Sequence, residues 1–250
     1  MNDLARLILG GGDSMDLPAG ITFRLQLPRA VTLQYDLVVC SATLMELPSA
    51  AARLATLHAL WERVGEDGVL VLAEPGTNAG FRAISEARHY LSQLGGELVG
   101  HAAAPCPHDK PCPRYTTDSI PCNFPTRHRN FSLPGLNQGK DKDKVDTTLT
   151  SYLVWARGER EAGGLPRLVE APVRAGTCHY CRLCTAQGGL QEVLVRKNSQ
   201  PELFQVTKRL QWGEQLPVLL DWPQNKVKVG TPWMKRKRQL AELEGSLAEG

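Results

Sequence analysis

The spacing of apolar and polar positions changes period several times along the chain, and each change marks an element. YDLVVCSATLMELP (35–48) opens on a short continuous apolar run, as in a strand covered on both faces. Ser49 then precedes AAARLATLHALWERV. There Leu54, Leu57, Leu60, Trp61 and Val64 recur every three or four residues and lay an apolar stripe on one helical face. The Ser49 hydroxyl suits the free amides of the first turn, and Gly65 and Gly68 bracket the exit. GVLVLAEPG (68–76) is a second buried strand closed by a Pro-Gly breaker. NAGFRAISEARHYLSQLGG follows, with a stripe at Phe81, Ile84, Leu91 and Leu94 and Gly95 as a left-handed stop. Strand, helix, strand, helix with short connections predicts βαβ units on a parallel sheet. Ligands of such sheets sit at the carboxyl ends of the strands, here residues 40–46 and 74–77.

Farther along, the pattern weakens. Residues 104–134 are rich in proline and cysteine, and 135–148 (GLNQGKDKDKVDTT) read as a polar, mobile insertion. SYLVWARG (151–158) is a strand. From Pro166 the segments PRLVEAPVR, HYCRLCTA, LQEVLVRK and LFQVTKRLQW alternate with turns and read as a small antiparallel unit. The turn at Gln187, Gly188 and Gly189 predicts a hairpin there. After Trp222 comes a basic, then acidic, tail. The predicted units are therefore 1–160, 161–222 and 223–250.

Composition narrows the classes. At 250 residues and 42% apolar, the chain can bury a core, and its net charge of +3 singles out no partner. No apolar run reaches the ~20 residues a bilayer needs, so no membrane partner is expected. MNDLARLILGGGD carries acids early and shows no presequence. The chain has seven cysteines and no signal peptide, which favours metal binding or thiol chemistry over a disulfide framework.

Six of the seven thiols cluster. Cys106, Cys112 and Cys122 each follow a proline, and proline fixes φ and removes an amide donor. Ligands held rigid before metal arrives lose less entropy on binding. A second group, Cys178, Cys181 and Cys184, is spaced CxxCxxC. Three thiols plus one from the second group make four ligands. Thiolates favour zinc or an iron–sulfur cluster over hard cations, and the spacing leaves both open. His108 and His128 are either substitute ligands or exposed loop residues beside Arg127 and Arg129. Cys40, alone on a buried strand, reads as core, and His179 as structural.

PCPHDKPCPR, then PCNF before a basic run, then a downstream LCT before a glycine turn, resemble the methyltransferase-like assembly factors of the mitochondrial small ribosomal subunit. YDLVVCSATLMELP, GVLVLAEPGTNAGF and KRLQWGEQLPV carry the same resemblance. It implies an α/β fold: the carboxyl-terminal half of a class I methyltransferase (Rossmann-like) sheet, with a cysteine-rich insertion and a small antiparallel β unit. It also implies a [4Fe–4S] cluster on Cys106, Cys112, Cys122 and Cys184, with Cys181 as the near alternative for the fourth position and Cys178 the weakest. It further implies residence in the mitochondrial matrix and partnership with small-subunit rRNA and proteins.

The S-adenosylmethionine site of such enzymes needs a Gly-rich loop close to the ligand. The only candidate, LILGGGDSM (7–15), lacks a following helical stripe and reads as a loop, so the Gly-rich loop of the full-length family is missing here. The surviving strand ends offer Ser41, Ala42, Thr43 and Glu74, which form no catalytic signature. Glu74 reads as a cap for Thr77 or Asn78. The expectation is a methyltransferase-like protein without activity. A half sheet is also expected to expose a strand edge and apolar faces.

Arg114, Arg127, Arg129, Arg167, Arg174, Lys197, Lys208, Arg209 and the KRKR of 235–238 supply a basic footprint. Tyr115, Phe124, Phe131 and Trp212 interleave with it as candidate stacking platforms, with Trp212 read as core.

Overall fold

A computed structural model of the chain describes residues 20–22, 24, 26–27, 31, 33–117, 120–129, 145–160 and 163–217, with backbone alone at 116–117, 129, 219–221 and 226–228. The LILGGGDSM segment, Phe131, residues 135–144 and the KRKR run lie outside the described residues. Chain contacts divide the molecule between Leu33 and Gln34, and everything below concerns the unit from Gln34 onward.

β1 (Tyr35–Ser41) runs parallel to β2 (Val64–Pro75), and α1 (Ala50–Trp61) connects them. Ser49 caps α1 as its sequence predicts, its Oγ accepting from the Ala52 amide at 3.1 Å. The helix ends at Trp61, and Val64 already belongs to β2, so Gly65 and Gly68 lie inside that strand rather than in the exit turn. α2 (Asn78–Ser92) starts at Thr77, whose Oγ1 accepts from the Gly80 amide at 3.1 Å. The positive φ after α2 falls on Gly96, one residue past the expected Gly95.

The sheet is mixed rather than parallel. β3 (Gly100–Ala104), β4 (Phe124–Arg129) and β2 all pair antiparallel with the long β5 (Val145–Arg157). Strand order is β1-β2-β5-β3. Residues 145–148, read above as part of a mobile insertion, are the first residues of β5. At Thr150 the strand pairs with Pro75 on one side and Phe124 on the other. β3 and β4 therefore run in line along one edge of β5, and residues 105–123 are an excursion from that interrupted edge. The core between sheet and helices holds Trp61, Trp155, Leu70, Leu72, Leu91 and Leu153. At the far edge, among the described residues, β1 pairs only with β2, and Leu37 and Val39 are each 57% exposed. Among the described residues this edge of the sheet is open and carries exposed apolar side chains.

A second sheet centres on β8 (Cys178–Cys184), with β9 (Leu190–Arg196) on one side and β6 (Arg167–Leu168) and β7 (Val173–Ala175) on the other. The β8–β9 hairpin turns at Gly188, φ +84°, in the predicted place. LFQVTKRLQW, read above as a strand, is instead α4 (Pro201–Arg209). Pro201 opens the helix, and Leu203, Phe204 and Thr207 bury its face against β8 and β9. The period of three to four in those positions outweighs the β-branched residues between them. A short hairpin, β10 (Leu219–Asp221) with β11 (Lys226–Lys228), follows.

Candidate metal centre

The excursion 105–123 has no core of its own, and arginine side chains hold it by its carbonyls. Arg88 of α2 donates to the oxygens of His108 (2.9 Å) and Lys110 (2.5 Å). Arg160 donates to the oxygens of Ala102 and Cys106 and pairs with Asp109 at 2.7 Å. Arg167 donates to the Pro105 oxygen and, at 2.6 Å, to that of Gly213. Inside the loop, Pro113 opens a one-turn helix, α3 (Pro113–Thr117), so the segment is not wholly irregular as its prolines suggest. Arg114 on that turn is 1% exposed. It donates to the Pro121 oxygen at 3.0 Å and pairs with Glu170, which also pairs with Arg182 at 2.9 Å. Ser151 Oγ of β5 donates to the Cys122 carbonyl at 2.9 Å.

These anchors fold the loop over the end of β8. Cys106, Cys112, Cys122 and Cys184 line one cavity of about 20 Å³, with Pro105, Pro107, His108, Arg114, Phe124 and Arg167 in its walls. Two sequence-distant segments, the 105–123 excursion and the end of β8, thus contribute thiols to one partly open cavity. Burial pushes the Cys122 and Cys184 thiols well up, and both also feel the Cys106 and Cys112 sulfurs. Burial raises Cys106 as well, against the opposing charge of Arg88. The metal-free Cys106, Cys122 and Cys184 thiols are therefore protonated near neutral pH. Among the described residues, no group of three or more His, Cys, Asp or Glu side chains has the mutual geometry of a metal-ion site. The four thiols surround a space rather than a common point.

The strand period decides between the three late thiols. Alternate residues of β8 face opposite ways, so an offset of three puts Cys181 and Cys184 on opposite faces. Cys181 packs with Leu168, Leu183, Val193 and Phe204 on the α4 side, where burial raises its thiol to about 11. Cys178 lies at the far end of the strand, half-buried. Cys40 is core, as expected, and burial raises it too.

His108 is not an exposed loop residue. It is 3% exposed, with Nε2 3.3 Å from Cys184 Sγ and Nδ1 3.4 Å from Arg88 Nη2. Burial, then the charge of Arg88, lower it to about 4. Burial alone would raise Asp109, but the Arg160 hydrogen bond and the Ala102 amide hold it below the usual range. His128 is exposed on β4, and His179 stacks on Phe204 with Nδ1 2.8 Å from Thr207 Oγ1, a structural residue as expected.

Two arginines of the predicted RNA footprint are spent here. Arg114 is buried in an ion pair, and Arg167 holds carbonyls. Phe124 is likewise core, edge-on to Tyr152 at 5.4 Å, whereas Tyr115 is exposed and Trp212 half-buried. Arg127, Arg174, Lys197, Lys208 and Arg209 are exposed. At the other strand ends, Glu74 caps neither Thr77 nor Asn78. Its Oε1 accepts from the Thr43 (3.0 Å) and Leu44 (2.7 Å) amides, pinning the loop after β1 to β2.

Pattern reading missed Arg88, Asp109 and Arg160 as parts of this site. Arg88 carried a signal: it falls between Ile84 and Leu91 in the apolar stripe of α2, where a charge is out of place without a buried partner.

A family profile described as "Mitochondrial small ribosomal subunit Rsm22" matches residues 16–217. The human mitochondrial ribosome assembly protein METTL17 is 32% identical over 226 residues, 86% of this chain and 47% of that protein. Two fission-yeast (Schizosaccharomyces pombe) Rsm22-cox11 tandem proteins, both mitochondrial, are 24% identical over 88% of this chain and 33% of their own length. The chain thus spans about half of the human relative and a third of the yeast ones. With a family profile that covers residues 16–217 and a relative 32% identical over 86% of its length, the chain belongs to the mitochondrial small ribosomal subunit Rsm22 family.

Proposed function

We propose that this protein is a mitochondrial matrix factor for assembly of the small ribosomal subunit. In this reading it binds rRNA and holds a [4Fe–4S] cluster on Cys106, Cys112, Cys122 and Cys184. The observation that carries the proposal is the convergence of those four thiols, from the loop, the approach to β4 and the end of β8, on one cavity.

The surroundings fit such a group. Four thiolates on an oxidised cluster leave net negative charge, and Arg88, Arg114 and Arg167 all act electrostatically on these sulfurs. The Nε–H groups of Arg88 and Arg114 are buried with no hydrogen-bond partner, an unusual cost that a nearby sulfide or thiolate acceptor would relieve. When bound, the cluster supplies a cross-link between the loop and the β8–β9 unit, which otherwise meet through contacts such as Lys110 Nζ to the Gln187 oxygen at 3.1 Å.

A role without methyl transfer is supported by Glu74, whose Oε1 is committed to two backbone amides. The order β1-β2-β5-β3, with β5 reversed, supports the reading of this region as the second half of a class I methyltransferase sheet. Exposed Arg127 and His128 on β4 and Tyr115 beside the loop supply charge and a stacking surface for RNA.

The test is metal and sulfide analysis on anaerobically purified protein, together with recovery of the small subunit in a pull-down. Iron and acid-labile sulfide in similar amounts, a brown colour, and loss of both colour and subunit recovery in Cys112→Ser are expected. Zinc without iron or sulfide would replace the cluster with a zinc-stabilised interaction module. Methyl transfer from S-adenosylmethionine to rRNA would replace the inactive reading.

A further inference from the structure

The cavity has one polar connection that its thiols do not explain. His108 bridges Arg88 on α2, 20 residues before it, and Cys184 on β8, 76 residues after it. A guanidinium only donates, so the unprotonated ring nitrogen is the one that can face Arg88: Nδ1 lies 3.4 Å from Nη2, whose two hydrogens are shared with the His108 and Lys110 oxygens. The proton of the neutral ring then resides on Nε2, which faces Cys184 Sγ at 3.3 Å. The same arginine grips the backbone on either side of the ring's loop, at the His108 and Lys110 oxygens, so the ring has little freedom to turn.

We propose that Arg88 and His108 form a positioning relay that holds an imidazole N–H on the sulfur of Cys184 and thereby sets the reduction potential of the bound cluster from helix α2. This rests on the cluster reading given above. A ligand sulfur that accepts a hydrogen bond carries less negative charge, which favours the reduced cluster and raises its potential. Among the contacts described Arg88 makes no hydrogen bond to a ligand sulfur: its charge acts on Cys106 and Cys184 across space, and its donors hold the ring and the loop that carries it. The apolar stripe of α2 accommodates this one cation because the relay consumes it.

The experiment uses the full chain, loaded with iron and sulfide anaerobically, with the potential read by redox titration and the reduced cluster followed by electron paramagnetic resonance. His108→Leu is expected to shift the potential in the negative direction at unchanged iron content. His108→Gln retains an N–H and is expected to recover most of that shift. Arg88→Met removes the ring's orienting donor together with a positive charge that acts on Cys106 and Cys184, and is expected to shift the potential in the same negative direction. Wild-type protein labelled with 15N-histidine is expected to show weak hyperfine coupling of one imidazole nitrogen to the reduced cluster, a readout that needs no variant to fold. Fully loaded His108→Leu protein with unchanged potential, equal shifts for the Leu and Gln variants, or no imidazole coupling in the wild type each overturn the relay alone. Zinc without sulfide in the wild-type protein overturns the cluster reading, and the relay with it.

Discussion

Exchange of Cys181 for serine and of Cys184 for alanine separates a core thiol from a cavity thiol only three residues away. Cys181 is 1% exposed and surrounded by Leu168, Leu183, Val193 and Phe204. A serine hydroxyl there loses its hydration without a matching gain, at about 1–3 kcal/mol. For a chain of this size each kcal/mol moves Tm by about 2–4 °C, so Cys181→Ser is expected to lower Tm by roughly 2–12 °C. The loss should be equal with and without metal, and iron content should not change. Cys184 sits at the rim of β8 with its sulfur in the cavity. In the metal-free protein Cys184→Ala removes one sulfur from a wall already incompletely packed, a loss of about 1 kcal/mol. On the proposed cluster reading it removes one of four ligands, so iron content and the metal-dependent part of Tm should both collapse. Cys178→Ala should leave both unchanged. The assay is paired calorimetry and metal analysis, before and after chelation. Retained iron in Cys184→Ala together with lost iron in Cys181→Ser would refute the face assignment and the cavity argument with it.

Acid should destabilise the metal-free protein through His108. Its pKa is about 4 when folded and 6.5 unfolded, so between those values the unfolded chain binds the extra proton and stability falls as pH falls. The full window is worth about 3 kcal/mol, and His108→Gln should flatten the pH dependence of urea midpoints across it. Glu170→Gln leaves the buried Arg114 guanidinium without its carboxylate. Because Glu170 is partly exposed, a loss of about 1–3 kcal/mol is expected in the metal-free protein, and a smaller one in the loaded protein, where the cluster's charge offsets the arginine. Equal losses in the two states, by chemical denaturation, would count against that compensation. Arg127→Ala should weaken rRNA binding by a similar factor across sequences and reduce the slope of log affinity against log salt by about 0.7. An unchanged slope would remove β4 from the RNA surface.

The local elements were legible because their signals are local. The Ser49 cap, the stripe of α2, the glycine turn after β8 and the apolar run of β1 depend on residues within one or two turns of each other, although β1 exposes Leu37 and Val39 instead of being covered on both faces. The gathering of thiols was legible only as a count, since proline-flanked cysteines announce a rigid ligand segment without saying where it lands. α4 was misread because its β-branched and aromatic residues are judged by propensity, whereas the helix is stabilised by the face that Leu203, Phe204 and Thr207 bury against β8 and β9. The mixed sheet escaped for a similar reason: the direction of β5 is set by pairing with β2, β3 and β4, and an apolar run carries no arrow.

By itself, then, the amino-acid order determined the elements whose signals lie within a few residues, the identity of the candidate ligands and the family. Tertiary structure alone decided which late thiol faces the loop, because side-chain direction on β8 has meaning only once α4 covers one face and the 105–123 excursion covers its end. It also decided that Arg88, Arg114 and Arg167 face inward. A cation's partner is chosen in space, by carbonyls and carboxylates tens of residues away, and no local pattern encodes that distance.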